Sequence, residues 1–214
     1  MRIKLFHAAL LAALTATGGA KAQTDVAASV YGAFSGTTNG NGIVQSPSNS
    51  AGALIEIRHI ANPLFGLEAT YSFNRGDQTY TSTSIVTCGI PCGGTGTNAS
   101  VKVPANAHEI TADYLISLKV LNIRPFLLAG GGVLLNEPTS GTSTGGNTSS
   151  ATISQAKGVL VYGGGLDYAV LPHLGLRFQY RGNLYKAPQL ATAFSSTGAF
   201  THTAEPMIGA YLRF

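Results

Sequence analysis

The chain has no tryptophan, two cysteines, and charged side chains at only 10% of its 214 positions. Soluble proteins average about 25% charged residues, so this composition does not suit a charged cytosolic enzyme. Nor is there an uninterrupted apolar run of the roughly 20 residues that a membrane-spanning helix needs. The formal net charge of +4 does not indicate nucleic-acid binding. Arg2, Lys4 and Lys21 all fall in the first 22 residues, and without them ten basic residues face nine acidic ones. Two thiols are too few for a structural zinc site, which takes four ligands. Cys88-Gly-Ile-Pro-Cys92 is also one residue longer than a redox C-x-x-C pair. In an exported chain we read Cys88 and Cys92 as a disulfide closing a small loop.

What is present is glycine, 27 residues of it, and a leader pattern at the start. Met1-Arg-Ile-Lys4 is a basic stretch, Leu5 to Leu14 is a short apolar core, and Ala20-Lys-Ala22 precedes Gln23 as an A-x-A cleavage site. No cysteine follows the apolar core, so no lipid anchor is expected. Residues 1–22 are expected to be a signal peptide, cleaved on export, and residues 23–214 the mature domain.

That domain alternates. A strand sends successive side chains to opposite faces, so a wall between lipid and a lumen reads apolar outward and polar inward. Leu174, Leu176, Phe178 and Tyr180 alternate with Gly175, Arg177, Gln179 and Arg181. Residues 65–74 do the same with Glu68 inward. Residues 109–119 place Glu109, Thr111, Asp113, Ser117 and Lys119 inward, with Leu115 the exception. The last strand sends Ile208, Ala210, Leu212 and Phe214 outward, with Glu205, Gly209, Tyr211 and Arg213 inward. Pro206 removes a ladder donor there, which predicts a bulge or local bend.

Four more strands are expected at about 25–35, 51–60, 124–134 and 156–168. The second carries Glu56 and Arg58 inward. The last two are apolar on both faces, so periodicity does not choose between them. Their triplets Gly130–Gly132 and Gly163–Gly165 are expected to make room for large interior side chains. Neither triplet is followed by Lys-Ser/Thr, so neither reads as a phosphate loop. Short links near 61–64, 120–123 and 169–173 alternate with long, Gly/Ser/Thr/Asn/Pro-rich ones near 36–50, 76–106, 135–155 and 185–200. This is the pattern of periplasmic turns and extracellular loops. The predicted fold is all-β: an eight-stranded antiparallel transmembrane up-and-down β-barrel.

The C-terminal run Met207-Ile-Gly-Ala-Tyr-Leu-Arg-Phe214 resembles the assembly signal of bacterial outer-membrane barrels, carried by Gly209, Leu212 and Phe214. Met207 stands at its usually polar first position. With the leader, the eight strands, and the runs His108-Glu-Ile-Thr-Ala-Asp-Tyr114 and Arg124-Pro-Phe-Leu-Leu-Ala-Gly-Gly-Gly132, the chain is similar to the small outer-membrane β-barrel family of OmpA-like and OmpX-like proteins. The resemblance implies a cell outer membrane location, with membrane lipids and lipopolysaccharide around the wall. It also implies insertion by the barrel assembly machinery, a monomer, and no cofactor.

The inward parity collects Glu56, Arg58, Glu68, Glu109, Asp113, Lys119, Arg177, Arg181, Glu205 and Arg213, with Asp167 beside them. Eight strands leave an interior just wide enough for side chains to fill. Near-balanced charges crossing it are expected to neutralise one another and seal it, as in relatives of this family. Function is then structural or a matter of surface interaction. A narrow channel for ions or small hydrophobic molecules, as in OmpW-like barrels, is the alternative. A lipid-modifying hydrolase is the second, and its test is a histidine with a nucleophile two residues on. His202 is followed at that spacing by Ala204, and His108 by Ile110, so no catalytic residue is assigned. His59 and His173 form no metal constellation.

Overall fold

The computed structural model describes residues 23–61, 64–83, 99–139, 142–144 and 151–214. The leader and the Cys88–Cys92 pair lie outside these residues. In chain order the strands are β1 (Gln23–Ser35), β2 (Thr38–Gly40), β3 (Ile43–Pro47), β4 (Ser50–Ile60), β5 (Phe65–Ser82) and β6 (Ser100–Ser117). There follow β7 (Ile123–Pro138), β8 (Thr142–Thr144), β9 (Gln155–Ala169), β10 (Leu174–Lys186) and β11 (Phe200–Arg213).

Eight of them make the wall: β1, β4, β5, β6, β7, β9, β10 and β11, each antiparallel to the next. The ring closes where β1 pairs with β11, from Asp25 opposite Arg213 to Ser35 opposite Thr203. Closure leaves the wall no free edge, and in hydrocarbon every unpaired backbone group would cost several kcal/mol.

The faces follow the alternation. Val30, Ile55, Tyr114, Leu127, Phe178 and Ile208 all point outward and are exposed, as lipid-facing side chains are. Strands β7 and β9, ambiguous in sequence, turn Arg124, Phe126, Leu128, Val159, Val161 and Asp167 inward. Gly165 lies opposite Phe126 in the ladder, and a Cβ there would overlap the Phe126 ring at 2.6 Å. That glycine therefore makes the room the triplet was expected to make.

Pro206 interrupts the wall without an inserted residue. Between β1 and β11 the paired positions run to Tyr31 opposite Met207 and resume in the same register at Phe34 opposite Ala204. On its other flank Pro206 keeps its place opposite Tyr180. The proline faces β1 with no N–H to donate, so two pairs are lost and the register survives.

Several expected loops are strand instead. β5 and β6 continue together to Ser82 and Ser100, well past the expected ends. β2 and β3 form a hairpin whose Asn41-Gly42 turn has both φ values positive, 51° and 73°. An Asn-Gly pair takes that two-residue turn with little strain, because neither residue pays the usual left-handed penalty. β3 then pairs with the upper part of β5. The link Ala187–Ala199 folds inward, burying Leu190, Ala191 and Phe194 against Ile43, Tyr80, Val101 and Val103.

Candidate functional site: the charged lumen

Three arginines, all fully buried, organise the interior. Arg177 on β10 donates from Nε to Asp167 at 2.6 Å and from Nη2 to Asp25 at 3.0 Å, and also pairs with Glu56. Arg58 on β4 donates to Glu68 at 2.5 Å and to Asp167 at 3.0 Å. Arg181 lies higher, 3.3 Å from Asp113, 3.5 Å from Glu68 and 3.7 Å from Glu109. It also donates to Thr111 at 2.9 Å, and Thr111 donates in turn to Asp113.

Aromatic faces pack the cations. Arg58 Cζ sits 4.1 Å from the Phe126 ring centroid, and Arg177 Cζ 5.1 Å from that of Tyr211. Such contacts matter most for desolvated charges.

The register explains why these groups meet. Around one level of the barrel the directly opposed residues are Arg213, Asp25, Arg58, Glu68 and Asp113, on β11, β1, β4, β5 and β6. On the far wall Arg124, Asp167 and Arg177 oppose one another on β7, β9 and β10. Sign alternates at nearly every step, so each guanidinium has carboxylates on neighbouring strands.

Of the residues expected inside, Glu56, Arg58, Glu68, Glu109, Asp113, Arg177, Arg181 and Glu205 are buried on the inward face, and Arg213 is partly buried near Tyr211. Lys119 is a correction. β6 ends at Ser117, so Lys119 lies in the following turn, outside the alternation, with its side chain exposed. Two buried inward charges escaped the sequence reading. Asp25 directly precedes the outward Val26, so the parity of β1 was enough to find it. Arg124 sits on a strand apolar on both faces and gave no such signal.

On the outer face His108 Nδ1 lies 2.9 Å from the Tyr71 hydroxyl, and His202 Nε2 lies 2.9 Å from that of Tyr162. Among the described residues no serine, threonine or cysteine hydrogen-bonds either ring, and no group of three His, Cys, Asp or Glu is placed to hold a metal. Gly209 lies on the inward face, while Leu212 and Phe214 face outward.

A closed wall with an apolar exterior and an ionic interior is the arrangement of a barrel set in lipid. Residues 6–203 match the family described as outer membrane protein beta-barrel domain. The chain belongs to that family. Its place is the outer membrane, in a lipid environment. Among solved structures, the barrel is similar to Ail, the attachment invasion locus protein of Yersinia pestis, at 14% identity and a TM-score of 0.52, covering 90% of this chain and 98% of that one. Ail in complex with the heparin analogue sucrose octasulfate gives a TM-score of 0.51 at 15% identity, covering 90% and 99%. The outer membrane protein OprG of Pseudomonas aeruginosa gives 0.52 at 13%, covering 92% and 98%. At these identities the likeness is one of fold. No curated protein matches the chain.

Proposed function

We propose that the mature protein is a non-enzymatic, monomeric barrel with a structural or surface-interaction role, its lumen sealed by its own charges. The observation that carries this reading is the crossing of Arg58, Arg177 and Arg181 between opposite walls. Three buried cations with carboxylates on several strands support sealing at their level. Above them, the burial of Leu190, Ala191 and Phe194 in the extracellular mouth supports a second closure.

Residues 1–22 are proposed to be a cleaved signal peptide. Gly209, Leu212 and Phe214 are proposed to be read by the barrel assembly machinery. Lipopolysaccharide is the proposed neighbour of the upper wall, and the loops are where a surface partner would bind. Cys88 and Cys92 are proposed to form a disulfide in one of them.

The narrow-channel reading keeps one observation in its favour: Leu128, Val159, Val161 and Leu115 give part of the lumen an apolar wall. Planar-bilayer recording on the refolded protein decides. Sealing predicts little conductance from the wild type and ion leakage from Arg177→Ala. Large steady channels from the wild type would establish the channel instead. Release of fatty acid from lipopolysaccharide that depended on His202 would establish the hydrolase.

A further inference from the structure

The charges of the lumen do not balance. Seven carboxylates lie inside (Asp25, Glu56, Glu68, Glu109, Asp113, Asp167 and Glu205), and five arginines at most oppose them, two of these being Arg124 and Arg213, with Lys157 partly buried on the inward face of β9. Six of the seven carboxylates have a guanidinium nitrogen within 4.0 Å. Glu205 has none among the described residues, although it is 5% exposed, and its Oε2 has no hydrogen-bond partner there.

Glu205 borders a polar chamber in the extracellular half of the lumen, above the arginines. Glu109, Asn183, Asn136, Tyr31 and Tyr185 line the same space. Asn183, one strand from Glu205 and 1% exposed, donates from Nδ2 to both oxygens of Glu109, at 3.0 and 3.2 Å. Its own Oδ1, an acceptor, is buried without a donor. The chamber thus holds a carboxylate with no guanidinium nitrogen within 4.0 Å, although Arg181 stands opposite it on the next strand, a second carboxylate 3.7 Å from its nearest guanidinium nitrogen, and an idle amide oxygen. All these groups attract positive charge. A buried carboxylate left unpaired costs several kcal/mol.

We propose that this chamber binds one hard divalent cation of the calcium and magnesium class, held by Glu109, Glu205 and the Asn183 amide oxygen. Oxygen donors suit such an ion. Two carboxylates and one amide make an incomplete cage, which fits a cation that retains several of its waters. Ser48 and Asp77 line the extracellular side of the same chamber. The site shares Glu109 with the arginine network, whose Arg181 lies below it.

The absence of tryptophan provides the test. Tyr31 and Tyr185 line the chamber, so terbium bound there should luminesce when tyrosine is excited. Terbium titration of the refolded full chain should show one saturable site per barrel, displaced by calcium. Glu205→Gln should bind about tenfold more weakly or worse, the cost of neutralising one charged ligand. Glu109→Gln should weaken binding in the same direction. Glu137→Gln, which removes an exposed carboxylate, should bind as the wild type does. Absence of saturable luminescence, or equal affinity in Glu205→Gln and wild type, would overturn the proposal.

Discussion

Arg58 on β4 and Asp167 on β9 meet at 3.0 Å across the full width of the barrel, four strands apart around the ring in either direction. Arg181 and Glu68 make a second such crossing at 3.5 Å. Neither contact can exist in an open sheet, so both depend on closure. Removing one partner should therefore be costly. Arg58→Met leaves the buried Glu68 and Asp167 short of a cation, and should destabilise the barrel by about 3–5 kcal/mol. Adding Asp167→Asn should recover part of that loss. Urea unfolding in detergent, followed by circular dichroism, measures both. A loss from Arg58→Met below roughly 1 kcal/mol would deny the network its role.

The outer face can be tested against the inner one on a single strand. Leu176 points to lipid, and three residues on Gln179 is buried inside with both ends of its amide unpartnered. Leu176→Arg should cost about 2–4 kcal/mol if the position lies near the midplane. Gln179→Arg adds a cation to a lumen rich in carboxylates and should cost far less. Equal losses would mean that the two faces are assigned wrongly.

Tyr80 holds down the link across the mouth. Its hydroxyl donates to the Pro188 carbonyl at 2.8 Å and accepts from the Leu190 amide at 2.9 Å. Tyr80→Phe should leave that amide without an acceptor and speed its hydrogen exchange, while exchange in the wall stays unchanged. Burial raises the Tyr80 phenol from its ordinary 10.0 to about 12. A raised value means that the folded form holds the proton more tightly. The stabilisation is complete below pH 10.0 and disappears as pH rises through about 12. A thermal-stability decrement over that window, present in wild type and smaller in Tyr80→Phe, checks the sign.

For Cys88 and Cys92, thiol labelling of the unreduced, denatured protein should find no free sulfhydryl. The double variant Cys88→Ser, Cys92→Ser should still refold, because the wall supplies its own hydrogen bonds. A variant that failed to refold would show the bridge to be structural.

Much of the wall was legible because its two faces meet opposite solvents. In β10 the alternation of Leu176 and Phe178 with Arg177 and Gln179 leaves only one orientation in lipid. β7 and β9 were not, since both of their faces are apolar: one packs against lipid, the other around Phe126 and Val161. The upper parts of β5 and β6 read as loop because Thr79, Thr81 and Ser100 stand above the lipid, where no apolar face is needed. The arginine network was legible as a list of inward residues. Its partners were not, because they depend on register between strands. Lys119 shows the other limit, an alternation carried two residues past the end of the strand that gave it meaning.

The length of β5 and β6 has a consequence for how the cell surface meets its surroundings. Each strand has 18 residues, and the hydrocarbon layer takes about 9–11. The remainder is a paired ribbon standing roughly 20 Å or more along the strand beyond the lipid. The tops of these strands therefore stand well above the lipid surface. A macromolecule arriving from outside would meet the tops of these strands above the level of the lipid headgroups.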